Sequence, residues 1–334
     1  MKKIHLDQIL PAIGFLLLIL DARTALSGAR DGIELCTRSI IPSIFPFLVL
    51  STMLMQGLVG GNLGFLRPLG VLLSIPKGAE SIFLCGLLGG YPTGAQAVHQ
   101  AWQNGQISKN NAQRMLAFCS NAGPSFLFGI LGSMFSKVWM SWALWGIHIL
   151  SAIMVGMILP VADQENTKTV NANPITMTEA LKKGVVTMGY ICGWVVLFRM
   201  ILAFLDRWFL WHVPAAVRVG IYGVLELANG CCALLMIENE GLRFILASGL
   251  LAFGGICVGM QTASVADKLG MGKYWIGKGL QTIFSLGIAC LFEGILVSNG
   301  SLRVTLTGLL LAIFIAFFFK KQKIRGRNPA LLGV

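Results

Sequence analysis

The chain has 334 residues, of which 55% are hydrophobic and 12% charged, and its mean hydropathy is +0.75. A soluble globular domain carries about twice that share of charge. The composition therefore excludes a soluble enzyme or binding module and predicts an all-α polytopic membrane protein, with room for about eight spans of roughly 20 residues. The net charge of +12 is dispersed between apolar runs and is densest at Lys320, Lys321, Lys323, Arg325 and Arg327, directly after the last of them. That placement anchors a chain to anionic lipid and argues against nucleic-acid binding.

In chain order, the basic start and short apolar core of residues 1–30 predict an uncleaved first span, with a cleaved signal peptide as the alternative. An amphipathic connection follows to residue 38. Apolar runs then fall near 39–59, 80–103, 110–135, 137–160, 182–204, 216–238, 241–264, 272–295 and 302–320. Two of them are interrupted at mid-length, at Gly89–Gln96 ("GGYPTGAQ") and at Glu226–Cys232 ("ELANGCC"). Each half is too short to cross a ~30 Å core as a helix. Both runs are therefore expected to be re-entrant helical hairpins, which leaves eight spans with both termini inside. In that topology 17 basic residues fall inside, Arg114 and Lys278 among them, and 8 outside. The first hairpin then opens to the cytoplasm and the second to the outside.

The neighbours of the two hairpins correspond. A span precedes each, at Ile40–Leu54 and Val185–Leu202. An apolar helix with a basic start and a glycine-containing polar middle follows each, at Arg114–Ser133 and Arg243–Ser264, and then a further span. The repeat unit crosses the membrane three times, an odd number, so the second copy is expected to be inverted. That arrangement is the architecture of secondary transporters. The resulting organisation is 1–38, a first repeat 39–160, a cytoplasmic linker 161–181, a second repeat 182–295, and a last span with a basic tail 296–334.

The glycine-rich breaks point to the functional residues. Non-helical backbone at membrane depth is tolerated where it faces protein or a watery cavity. At the first tip, Gly90 and Gly94 permit close approach, Tyr91 and Thr93 add hydroxyls, and Pro92 suits the first turn of the returning half-helix. The N-terminus of that half-helix favours an anionic group. Ser120, Asn121, Gly123 and Ser125 flank Pro124, which frees a carbonyl in mid-span. Glu226, with Asn229 and Gly230, occupies the second tip. It is read as a proton or cation site, with capping of the turn as the alternative. Gly255, Gln261 and Thr262 lie in the facing helix. Arg199 lies within a span and is read as either an anion ligand or a side chain snorkelling to the interface. Glu293 is placed at the interface. The eight cysteines and four histidines show no ligand spacing, so no metal and no cofactor is expected.

At these residues the chain resembles a known family. "PSIFPFLVLSTML", "GGYPTGAQAV", "FCSNAGPSFLFG", "ELANGC" and "AFGGICVGMQTAS" are similar to segments of the sporulation integral membrane proteins with a nucleoside-recognition, or Gate, domain. The resemblance runs over roughly 40–292. It implies a fold like that of concentrative nucleoside transporters, and a site lined by hairpin tips and facing helix middles. It also implies a small anionic or nucleoside-like solute, foremost dipicolinic acid moved across the outer forespore membrane. The expected partners are that solute, the bilayer and a coupling ion, H+ or Na+, with a homo-oligomer possible. A membrane enzyme and a structural or signalling protein of spore assembly are the competing expectations. The chain lacks the paired carboxylates or Ser/His constellation that an enzyme would need.

Overall fold

A computed structural model describes residues 6–58, 64–160 and 175–297, and these are helical with no strand among them. The linker at 161–174, the apolar run at 302–320 and the basic tail lie outside the described residues. Six helices among those described are long and apolar enough to cross a membrane: Ala22–Leu54, Lys109–Met134, Val138–Ile158, Met177–Leu210, Glu240–Leu269 and Gly272–Glu293. The first described helix is α1 (Leu6–Leu20).

The segment expected as a connection is helical throughout. Asp21 caps α2 (Ala22–Leu35) by accepting from the Thr24 backbone N–H at 3.3 Å. A π-helical turn at Cys36–Ile40 carries α2 into α3 (Ile41–Leu58), which accommodates Pro46. This long helix lies antiparallel along α10 (Met177–Leu205), whose start is fixed by a capping box between Thr176 and Glu179. Gly28 and Gly32, one turn apart, allow the close approach. A Cβ at Gly28 would lie 2.9 Å from Met200 Cα, and one at Gly32 would lie 2.9 Å from Val196 Cα. Small residues four apart pack membrane helices in this way. Asp31 and Asp21 pair across the seam with Arg199 and Arg207, at 2.8 and 2.9 Å. Arg199, 22% exposed at its side chain, also lies 3.7 Å from Asp206. Carboxylates of its own chain thus hold Arg199.

After the short α4 (Arg67–Leu73), two helix pairs occupy the positions of the interrupted runs. The first is α5 (Ser81–Gly89) with α6 (Thr93–Gln103), of 9 and 11 residues. The second is α11 (Ala215–Leu225) with α12 (Leu227–Ala233), of 11 and 7 residues. Each pair folds back on itself through glycines on either side of its tip. Gly94 sits with Gly86 Cα 2.8 Å from its would-be Cβ, and Gly230 presses on the backbone of Gly223.

A broken helix follows each pair. Ser108 caps α7 (Lys109–Cys119), which ends in extended backbone at Ser120; Pro124 then starts the short turn α8 (Pro124–Phe126). The residue before a proline favours such extended geometry. Asn239 caps α13 (Glu240–Phe253), which stops at Gly254 in the left-handed region, φ +80; α14 (Gly255–Ala266) then begins at φ +82. These φ values favour glycine. The long helices α9 (Val138–Ile158) and α15 (Gly272–Val297) complete the order. Buried apolar side chains form two clusters, one around the first pair with α7 and α9, the other around the second pair with α8, α9, α13 and α14.

Two charges assigned to the aqueous inner side are internal. Arg114 is 1% exposed. It donates to the carbonyls of Leu73 (2.6 Å), Ser74 (3.3 Å), Gly156 (2.5 Å) and Leu159 (3.3 Å), binding the C-terminal ends of α4 and α9 together. Those helix ends carry partial negative charge. Lys278 lies inside α15 and is 0% exposed. The inner-side tally therefore loses both.

Candidate functional site

The tips of the two helix pairs meet. A cavity of about 50 Å³ lies between them, lined at the first tip by Gly89, Gly90 and Tyr91 and at the second by Glu226, Leu227 and Ala228. Gly123 and Ser125 from the first broken helix and Val258 and Gln261 from the second complete the polar and small lining, with Ile40, Ile44, Ile191 and Val195 from α3 and α10 on the apolar side. Six of the residues singled out from sequence thus share one cavity: Gly90, Tyr91, Gly123, Ser125, Glu226 and Gln261.

Each tip rests on a helix break. Gly90, at φ +71, packs on Gly123, whose N lies 2.8 Å from the position a Cβ would take. Gly255 packs on the tip of the second pair, 3.2 Å from Leu227 N and 3.0 Å from Gly223 O by the same measure. Tyr91 crosses between halves. Its hydroxyl donates to the Leu251 carbonyl at 3.4 Å and packs against Gly254.

Glu226 is 3% exposed and functions as a cap. Its carboxylate accepts from the backbone N–H groups of Ala228 (3.0 Å) and Asn229 (2.6 Å) and from Asn229 Nδ2 (2.7 Å). The alternative reading of this residue, bracing the turn, is the one its geometry carries. The free N–H groups and partial positive charge of the α12 N-terminus balance the carboxylate. Asn229 serves Glu226, and Gly230 serves the helix crossing.

Other residues singled out from sequence lie elsewhere. Thr93 donates its hydroxyl to the Gly89 carbonyl at 3.2 Å and lines a different cavity. Gly94 is closed against Gly86 and the Cys119 carbonyl, so it packs backbone on backbone. Pro92 is buried just before α6, with its carbonyl accepting from Gln96 N at 3.1 Å. Thr262, on α14, is buried and does not line the tip cavity. Ser120 and Asn121 belong to a polar cluster behind the first tip.

That cluster was not legible in sequence. The Lys278 ammonium donates to Tyr91 Oη (3.1 Å), to Gln281 Oε1 (2.9 Å) and to the Ser120 carbonyl. Gln281 Nε2 donates to Asn121 Oδ1 (3.1 Å), and Asn121 Nδ2 donates to the Phe118 carbonyl (2.7 Å). His148 Nε2 accepts from Ala122 N at 3.1 Å, which satisfies the broken backbone from α9. All three ammonium protons are used by neutral oxygens, and the C-terminal carbonyl end of α7 supplies the partial negative charge. Lys278 thereby ties α15 to the first break and the first tip. Its only sequence signal was a lysine seven residues into a 26-residue helix, beside Gln281 and Ser285 at helical spacing.

In its observed form the site is nearly closed. A cavity that admits a benzene-sized ligand is about 150 Å³, so a solute of that size enters this one only if the tips part. The chemistry on offer is recognition: backbone at two breaks, the hydroxyls of Tyr91 and Ser125, an amide at Gln261 and the capped carboxylate of Glu226. No group of three or more potential metal ligands occurs among the described residues.

No family model matches the chain, and no solved structure matches it. One curated protein does: over 146 residues the chain is 26% identical to the sporulation integral membrane protein YlbJ of Bacillus subtilis (strain 168). The match covers 41% of this chain and 34% of that protein, so it spans about a third of the relative's length. Six apolar helices and this likeness establish a multi-pass membrane protein, similar over part of its length to an integral membrane protein of sporulation.

Proposed function

We propose that the chain is a transporter of a small anionic or nucleoside-like solute, foremost dipicolinic acid across the outer forespore membrane, and that it is not an enzyme. The observation that carries this reading is the convergence of two tips and two helix breaks on one cavity. In this reading the helix pairs are re-entrant hairpins. The orders α3, α5–α6, α7–α8, α9 and α10, α11–α12, α13–α14, α15 are two copies of one unit, the second inverted. Several features support the correspondence: both pairs fold back through a glycine contact, both tips sit on the break of the following helix, and no helix of either pair reaches ~30 Å. The name of the partly similar relative supports a place in sporulation, and the choice of dipicolinate rests on the family resemblance. A coupling ion, H+ or Na+, and association into oligomers complete the proposal.

The test is a titration of purified protein in detergent with dipicolinate and, separately, with a nucleoside, followed by uptake into proteoliposomes. Saturable binding and uptake of one of them, chemically unchanged, is the expected result. A nucleoside bound in place of dipicolinate keeps the transporter and changes its solute. Turnover without flux would show an enzyme. Spore assembly supported equally well by a chain mutated at both tips would show a structural or signalling protein.

A further inference from the structure

A second cavity, of about 100 Å³, lies beside the first helix pair, bordered also by Thr52 of α3 and Lys183 of α10. Most of its lining residues are polar. Thr93, Gln96, Gln100 and Asn104 follow one another at spacings of three and four along α6, so they form one stripe on one helix face. Ala95 and Val98, on the other face, are 0% exposed in the apolar cluster. Thr52 and Ser81 add hydroxyls across the cavity, and Lys183 of α10 supplies the only charge among the lining residues. The stripe runs from Thr93, at the buried tip, to Asn104, which is exposed at the aqueous end. An 11-residue helix covers ~16 Å, half of a ~30 Å core.

The neighbouring carboxylates do not line the cavity. Glu80 is paired with Arg67 at 2.8 Å and accepts from Gly78 N at 2.7 Å. Glu179, one turn before Lys183, accepts from Thr176 N and Oγ1 at 2.9 and 3.0 Å. Glu179 keeps its charge beside Lys183, but it does not line the cavity, where Lys183 is the one charged side chain among the lining residues. A row of amides and hydroxyls solvates a polar solute without binding it tightly, and a single cation at the wall raises the local concentration of anions.

We infer that the polar face of α6 is an access lane from the aqueous surface to the first tip, and that Lys183 makes it selective for small anions over cations. The inference rests on the reading of the tips as a solute site, but its test contains no solute.

In the full-length chain freed of reactive native cysteines, single cysteines replace Gln96, Gln100, Asn104 and Val98. Their reaction rates are measured with an anionic sulfonatoethyl and a cationic trimethylammonioethyl methanethiosulfonate, each normalised to a free thiol. Cysteines at 104, 100 and 96 should all react, more slowly with depth, while the one at Val98 should not. The anionic-to-cationic rate ratio should increase toward 96, and Lys183→Glu should lower it by about fivefold or more. Lys183 is exposed, so this variant is expected to fold. Reaction at 104 alone, or at Val98 as fast as at 96, would overturn the lane. A ratio unchanged by Lys183→Glu would overturn the selectivity. Failure of both dipicolinate and nucleoside to bind would discard the proposed solute and leave these rates as they are.

Discussion

Gly94 and Glu226 show how differently two residues singled out on similar grounds can act. Both were chosen because a polar or glycine-rich break in an apolar run suggests a binding site. A side chain at Gly94 would meet the Cys119 carbonyl and Gly86 Cα, both backbone. Gly94→Ala should therefore lower stability by about 1–3 kcal/mol, seen as a fall in melting temperature in detergent. Gly146→Ala, with open space around it, should leave the melting temperature unchanged. Glu226→Ala removes a cap and strands buried N–H groups at the second tip, at a cost of about 1–3 kcal/mol. Glu226→Gln keeps an acceptor and should lose less. Ser125 and Thr93 separate the two cavities. If the solute sits between the tips, Ser125→Ala should weaken dipicolinate binding about tenfold, the loss of one hydrogen bond to a charged group. Thr93→Val should leave equilibrium affinity nearly unchanged, because that hydroxyl faces the other cavity. The reverse ordering in a titration would move the solute to the α6 side.

At the scale of elements, Lys278 and the α2–α10 seam carry the predictions. Lys278 joins α15 to the break after α7 and to the first tip. Met has a similar reach but no donor, so Lys278→Met strands the Ser120 carbonyl and Gln281 Oε1 and should lower stability by about 1–3 kcal/mol. The Ser120 carbonyl and Tyr91 hydroxyl lose their tie, so hydrogen exchange at 89–93 should quicken as well. Unchanged exchange would show that the glycine contacts alone hold the tip. Along the seam, Asp31→Arg and Arg199→Asp should each destabilise the protein. The double exchange should recover about 1 kcal/mol by the melting of all four proteins. Failure to recover would mean that Gly28 and Gly32 packing, not charge, sets the pairing.

For the whole molecule the decisive quantity is sidedness. Both ends of the first helix pair should lie on one face of the membrane and both ends of the second on the other. Cysteines at Lys77 and Asn104 should then react with an impermeant reagent from one side, and those at His212 and Glu238 from the opposite side. Labelling of Lys77 and Asn104 from different sides would make α5–α6 a crossing and remove the inverted repeat.

Much of this arrangement follows from local properties of the chain. An apolar composition demands helices in lipid. The chain leaves the helix at Gly90–Pro92, Glu226, Ser120–Gly123 and Gly254 because proline, left-handed glycine and a capping carboxylate act within a few residues. Those effects are readable one turn at a time, and so the interruptions at both tips and beside Pro124, and six of the residues that line the tip cavity, were visible in the sequence. Which side chains share a face across elements was not. Arg114 and Lys278 resemble aqueous lysines and arginines in sequence, because burial of a cation depends on carbonyls 40 or more residues away, at Leu73 or Ser120. Arg199 found its partner at Asp31, 168 residues before it, and Thr93 lines a different cavity from Gly90. Helix rotation and long-range pairing are set by packing between distant segments, and only the tertiary structure decides them.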